Sequence, residues 1–266
     1  MLVLLNAPSF AAGNDTLLPF EKPQVIEGTY KDFYIDNFGN VFLVTTNNQV
    51  KKLNEHFDSV AVFNDLRRYG DLYSLDVNNP LKIVVYYKDF TTLVILDRFL
   101  NSRNTIDLRN AGILQARAVT QSYDNNYWVF DELNGKIKKI DDNGNVLLES
   151  ADFRVLFSYE YNPRYIIDTD GALYLYDENK GWLIFDYYGA YKKHIDIPHL
   201  KNVSVSKGIV SGRDSSGFVF ADTNTFSEMQ QQTGMDISNA IKVISQQGKL
   251  FILEKDNLSV YRITTP

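Results

Sequence analysis

Apolar and polar residues alternate along most of this chain in short runs, separated by turns rich in Asp, Asn and Gly. That is the period-two pattern of β-strands rather than the 3.6-residue period of helices. Tyr34-Ile35-Asp36-Asn37-Phe38-Gly39-Asn40-Val41-Phe42-Leu43-Val44 reads as a strand, an Asp-led turn and a second strand, and 166–176 repeats it. Turns between first and second strands fall near Gly39, Asn79, Asn125, Gly171, Lys207-Gly208 and Gly248. Third strands are expected at 50–53, 93–96, 137–140, 182–185, 218–221 and 258–261. Fourth strands are expected at 60–63, 105–108, 146–149, 192–197 and around 226–230.

A four-strand unit returning at a period of about 40 residues points to an all-β, six-bladed β-propeller. The sixth unit lacks a fourth strand, while a spare strand-like run, 24–30, precedes the first. Pairing Val25–Tyr30 with Leu258–Tyr261 would close the last blade with the N-terminal strand and cover an otherwise open edge. A two-sheet sandwich explains the turn spacing, but neither the recurrence nor the matched missing and spare strands. The expected organisation is an arm or signal remnant over 1–23 and one propeller domain over 24–266.

Composition narrows the function. The chain has 266 residues, 44% of them hydrophobic, with 17 Tyr and 17 Phe, enough to fill the wedges between blades. Net charge is −6, which disfavours non-specific nucleic-acid binding. The chain has no Cys, hence neither disulfides nor thiolate chemistry. No apolar run reaches the roughly 18 residues of a membrane helix. Leu2–Leu5 followed by Ala7–Gly13 resembles the end of a secretory signal, without a basic segment before it, so a periplasmic or otherwise exported location is expected and an apolar docking arm is the alternative.

Candidate chemistry is sparse. His56, His194 and His199 fall in or beside outer strands, too dispersed to converge on a metal. Asp141-Asp142-Asn143-Gly144-Asn145 has the wrong spacing for a calcium loop and reads as a hairpin turn. Asp36, Asp76, Asp124 and Asp168 recur near first-to-second turns, where Asp caps a turn through its side chain. Neither a nucleophile elbow nor a phosphate-binding glycine loop is present, and no cofactor is expected.

A basic residue recurs just before each first strand: Lys31, Arg68, Arg117, Arg164, Lys201 and, later in register, Lys242. Around a propeller's central channel these would gather at one mouth and focus positive field there. Arg117, Arg164 and Lys201 would then pair with an anionic sugar or similar ligand while Tyr69 or Tyr165 stacks on it. The connecting segments 159–165 and 185–191 also concentrate Tyr, a residue favoured at protein interfaces.

The turn Asp36–Asn40, the strand Val41–Val44, the polar pair Asn47-Asn48 and the basic-aliphatic strand Val50-Lys51-Lys52-Leu53 resemble the NHL repeat of six-bladed propellers. The unit over 168–185 follows it moderately, and blades two, five and six are degenerate. The resemblance implies the fold and a binding role more than an activity. Some six-bladed relatives are metal-dependent hydrolases or lyases with His and carboxylates at the channel mouth, but this chain has no His at its first-strand starts. The chain is also similar in size and composition to the propeller that plugs type 9 secretion translocons, which implies a protein partner at an outer-membrane assembly. The expectation is therefore a non-catalytic interaction module, with a binder or enzyme for an anionic ligand as the alternative.

Overall fold

A computed structural model describes residues 21–263 except 65, 158, 215–216 and 233–234. The fold is an all-β, six-bladed propeller of four-stranded antiparallel sheets. Strand β1 (Gln24–Glu27) comes first. Blade one follows with β2 (Tyr30–Ile35), β3 (Val41–Thr45), β4 (Val50–Leu53) and β5 (Ser59–Phe63). Blade two comprises β6 (Ser74–Asp76), β7 (Lys82–Tyr87), β8 (Thr92–Asp97) and β9 (Ser102–Asp107). Blade three comprises β10 (Ala116–Gln121), β11 (Tyr127–Asp131), β12 (Lys136–Ile140) and β13 (Val146–Glu149). Blade four comprises β14 (Tyr165–Thr169), β15 (Ala172–Asp177), β16 (Gly181–Phe185) and β17 (Tyr191–Ile195). Blade five comprises β18 (Lys201–Ser206), β19 (Ile209–Arg213), β20 (Gly217–Asp222) and β21 (Glu228–Gln232). Blade six has β22 (Lys242–Gln246), β23 (Lys249–Leu253) and β24 (Asn257–Arg262). Its sheet is completed by β1, in the order β1-β24-β23-β22.

That closure has the expected partner and a shorter strand. Gln24 opposes Val260 and Glu27 opposes Asn257. The strand stops at Glu27 rather than Tyr30 because Gly28 (φ 137°) turns the chain. The Tyr30 hydroxyl then donates to the Glu27 carbonyl at 2.8 Å, and Tyr30 opens β2. The arm or signal assigned to 1–23 lies outside the described residues up to position 20.

By compactness the chain falls into two units, Tyr34–His199 and, together, Met1–Phe33 with Leu200–Pro266. In the first, second and third strands are buried on both faces because each sheet packs against its neighbours. Phe42, Val44 and Val50 of blade one meet Ile83, Val85 and Val94 of blade two. Blades two and three share a core including Val84, Ile95, Tyr127 and Val129, and blades three and four one including Trp128, Phe130, Phe153 and Phe185. Each such side chain contributes roughly 1.5–3 kcal/mol on burial. In the second unit, Phe218, Ile237, Val243, Leu250 and Ile252 form the corresponding core.

Asp76 and Asp124 cap their first-to-second turns through the N–H two residues on, but the full five-residue Asp-led turn of blade one recurs at another connection. In blade one Asp36 caps the first-to-second turn, its Oδ1 accepting from the N–H of Phe38 and Asn40, both at 2.9 Å. In blades two, three and four the same geometry sits between third and fourth strands, at Asp97, Asp141 and Asp186. Asp141–Asn145 is accordingly a capped turn. The chemistry is local, so it serves whichever tight connection carries the five-residue sequence.

Candidate functional site

Antiparallel pairing places the start of each first strand beside the end of its second: Ser74 opposes Tyr86, Ala116 opposes Asp131 and Tyr165 opposes Tyr176. The segments entering the first strands therefore share one end of blades two to four with the turns joining second to third strands. This loop end gathers several of the basic and aromatic residues singled out in the sequence.

A polar network runs across it. The Tyr73 ring packs edge-on against Tyr86 at 5.7 Å, and Lys88 Nζ lies 5.2 Å from the Tyr73 ring. Lys88 also pairs with Glu132 Oε2 at 3.6 Å. Glu132 Oε2 accepts from Gln115 Nε2 at 2.7 Å, and its Oε1 from Asn162 Nδ2 at 3.2 Å. Arg164 donates to Glu178 Oε1 at 2.7 Å and lies over the Tyr165 ring at 5.6 Å. Burial acts to lower the Arg164 pKa, but Tyr165 and Glu178 outweigh it and hold the guanidinium above its ordinary value. Around the network stand exposed apolar side chains from four connecting segments: Tyr73, Phe90, Leu114 and Leu133.

The recurring basic residues separate into different roles. Arg117 lies inside β10, where the register shifts between Ala116 and Ala118, so it is the extra residue of a bulge. Its Nε is buried without a hydrogen-bond partner. Arg68, in a helical turn α1 (Leu66–Tyr69), is exposed and stacks on the Tyr69 ring at 5.3 Å. Tyr69 does not offer a stacking face: it is 7% exposed, with its ring 5.2 Å from that of Tyr87 in the core between blades one and two. Tyr165 is half-buried at the start of β14. In the other unit Lys31 is the half-buried second residue of β2, Lys201 is the exposed first residue of β18, and Lys242 pairs with Asp32 at 2.7 Å. The expected register, just ahead of each first strand, thus holds for Arg164 alone. Lys31, Arg117, Lys201 and Lys242 lie within strands, and Arg68 precedes β6 by a full loop.

The opposite ends of the same first strands hold a feature that local reading missed. Asp76 Oδ1 caps its own turn through Asn78 N–H, but its Oδ2 accepts from Thr120 Oγ1 and the Gln121 N–H of blade three, both at 2.7 Å. Asp168 likewise reaches into blade three, accepting from Ser122 Oγ and Trp128 Nε1 at 2.9 Å each. Its Oδ1 is buried without a partner, as are both amide atoms of Gln121. Desolvation raises the Asp168 pKa, against the opposing pull of these hydrogen bonds and of Lys139. Two of the four recurring aspartates therefore tie adjacent blades together, across about one repeat of sequence. Exposed aromatics at this end, Phe38, Phe99 and Tyr188, each occupy the third position of an Asp-led turn, where the Asp fixes the backbone N–H and leaves the ring outside.

Among the described residues, no group of three His, Cys, Asp or Glu is placed to hold a metal. His194 is tied to the Lys180 carbonyl, His56 is exposed, and His199 sits in a turn with φ 63°.

No protein-family model matches the chain, and no curated protein sequence matches it. Solved structures do. A streptogramin B lyase is similar at 16% identity and TM-score 0.60, over 87% of this chain and 78% of that one. Virginiamycin B lyase from Staphylococcus aureus is similar at 10% identity and TM-score 0.67, over 92% of this chain and 100% of that one. The extracellular domain of a putative one component system from B. thetaiotaomicron is similar at 12% identity and TM-score 0.59, over 89% of this chain and 33% of that one. At such identities the likeness establishes the propeller fold.

Proposed function

We propose that this protein is a non-catalytic recognition propeller that docks on a larger protein through the loop end of blades two to four. The observation that carries the reading is the set of exposed Tyr73, Phe90, Leu114 and Leu133 around the Lys88–Glu132 and Arg164–Glu178 pairs. Apolar anchors set among satisfied polar groups are the composition of a protein interface. These side chains come from connecting segments, and unlike the aromatic tips at the opposite end, no recurring turn geometry accounts for their exposure.

The finer reading is an exported, periplasmic subunit of NHL-like repeats on an outer-membrane assembly, of which a type 9 secretion translocon is the named case. It is supported by the apolar and small-residue run at 2–13 and by the repeat resemblance. The extracellular sensor domain among similar structures adds weak support for export.

Affinity capture with in-cell crosslinking from native membranes tests the proposal. Wild-type protein should recover one stoichiometric protein partner, and Leu114→Asp together with Leu133→Asp should reduce that recovery at least tenfold. No stoichiometric partner, or undiminished capture by the double variant, would overturn it.

A further inference from the structure

We infer that Arg117 anchors a binding site for a small monoanionic carboxylate at the loop end of blades two to four. Three observations converge on it. First, the β10 bulge takes Arg117 out of the ladder: Ala116 opposes Asp131 and Ala118 opposes Phe130, leaving Arg117 with no residue opposite. Bulges of this kind re-aim a side chain and are over-represented beside functional sites. The bulge is held on one side by the Tyr86 hydroxyl, which donates to the Ala116 carbonyl at 2.8 Å.

Second, the guanidinium is partly buried and unanswered. Nε is buried without a hydrogen-bond partner, and among the described residues no carboxylate pairs with the group. Three acids of this end are committed elsewhere. Asp131 is paired with Lys138 at 2.9 Å and bonded by Asn134 Nδ2 at 2.7 Å. Glu132 is taken by Lys88, Gln115 and Asn162, and Glu178 by Arg164. Leaving a partly buried guanidinium unpaired costs free energy unless an incoming group supplies the missing acceptor.

Third, the charge balance selects the ligand. Lys88 with Glu132 and Arg164 with Glu178 are neutral pairs, so Arg117 is the arginine of this set that no carboxylate answers. A carboxylate matches one charge and meets the planar guanidinium fork edge-on, in bidentate geometry. A phosphate dianion would bring a second charge toward Glu132 and Glu178 with no cation to meet it. Tyr73, part-exposed ahead of the first strand of blade two, and Tyr165, half-buried at the start of that of blade four, stand at the same loop end and are suited to the carbon skeleton behind the carboxylate. This inference is independent of the docking proposal, since it needs Arg117 and not the exposed leucines.

The test titrates full-length protein with D-glucuronate, inorganic phosphate and D-glucose. It is read by calorimetry and by the arginine Nε–H signals of protein labelled with ¹⁵N-arginine. D-glucuronate should bind saturably and shift one Nε–H signal, which disappears in Arg117→Lys. Arg117→Gln should weaken binding at least tenfold, Arg117→Lys should retain part of it, and Arg68→Gln, at an exposed guanidinium, should leave it unchanged. Circular dichroism establishes that each variant is folded, and the wild-type signal stands as a readout should Arg117→Gln fail to fold. The inference is overturned by the absence of saturable glucuronate binding, by phosphate or glucose binding as tightly, or by wild-type affinity in folded Arg117→Gln.

Discussion

Gly181 provides the sharpest test of how the blades are built. It opens β16 with φ 80°, and a Cβ there would stand 2.3 Å from the Ile195 carbonyl oxygen and 2.7 Å from the Ile197 nitrogen. Both obstacles are backbone at the end of the neighbouring fourth strand, so no rotamer change relieves them. Two costs follow for Gly181→Ala. A left-handed conformation in an L-residue costs roughly 1–2 kcal/mol. Forcing backbone apart by about an ångström in a packed sheet costs roughly 1–3 kcal/mol more. Gly112 separates the two, because its φ is 69° and nothing lies within 4 Å of the Cβ position. Gly112→Ala should therefore lose about 1–2 kcal/mol, and Gly181→Ala about 2–5 kcal/mol. At about 2–4 °C per kcal/mol for a domain of this size, the melting point of Gly181→Ala should fall by roughly 4–20 °C. Urea denaturation followed by tryptophan fluorescence, with thermal melts alongside, measures both. Equal losses in the two variants would refute the steric argument, since only the backbone contact distinguishes them.

The N-terminal closure predicts that a chain beginning at Tyr30 self-associates through the uncovered edge of β24, whereas one beginning at Glu21 stays monodisperse by light scattering; equal behaviour would mean that β1 protects nothing. Asp168 should leave a signature in the pH dependence of stability. Its folded-state pKa lies above the unfolded value near 3.8, so its contribution is fully present below that value and is lost as pH rises through the folded one. Asp168→Asn should flatten this part of the stability profile, while Asp168→Ala, stripping the acceptor from Trp128 Nε1 and Ser122 Oγ, should cost about 1–3 kcal/mol at pH 7. An unchanged slope in the Asn variant would assign the titration to another group.

How much of this was legible in the chain follows from the range of the forces involved. Strand positions were legible because side-chain alternation and turn chemistry are local. The expected third strand at 182–185 lies within Gly181–Phe185, and the expected fourth strand at 146–149 coincides with Val146–Glu149. The six-fold count and the pairing of β1 with β24 followed from the same local patterns, because an unfinished blade and a spare strand can satisfy each other's backbone groups. The fate of individual side chains was decided only by packing. Tyr69 read as a ring free to stack on a ligand, but blade two places Tyr87 beside it in the core. Asp168 read as a turn cap, but it bonds Ser122 and Trp128 about one repeat earlier. Arg164 and Arg117 were equivalent members of a basic series. The fold gives Glu178 to one and leaves the other, turned out by a bulge, without a carboxylate among the described residues. The sequence by itself determined where the strands run and how the last blade closes. Which charges are answered, and where one is left over, was decided by contacts between blades, which no local period records.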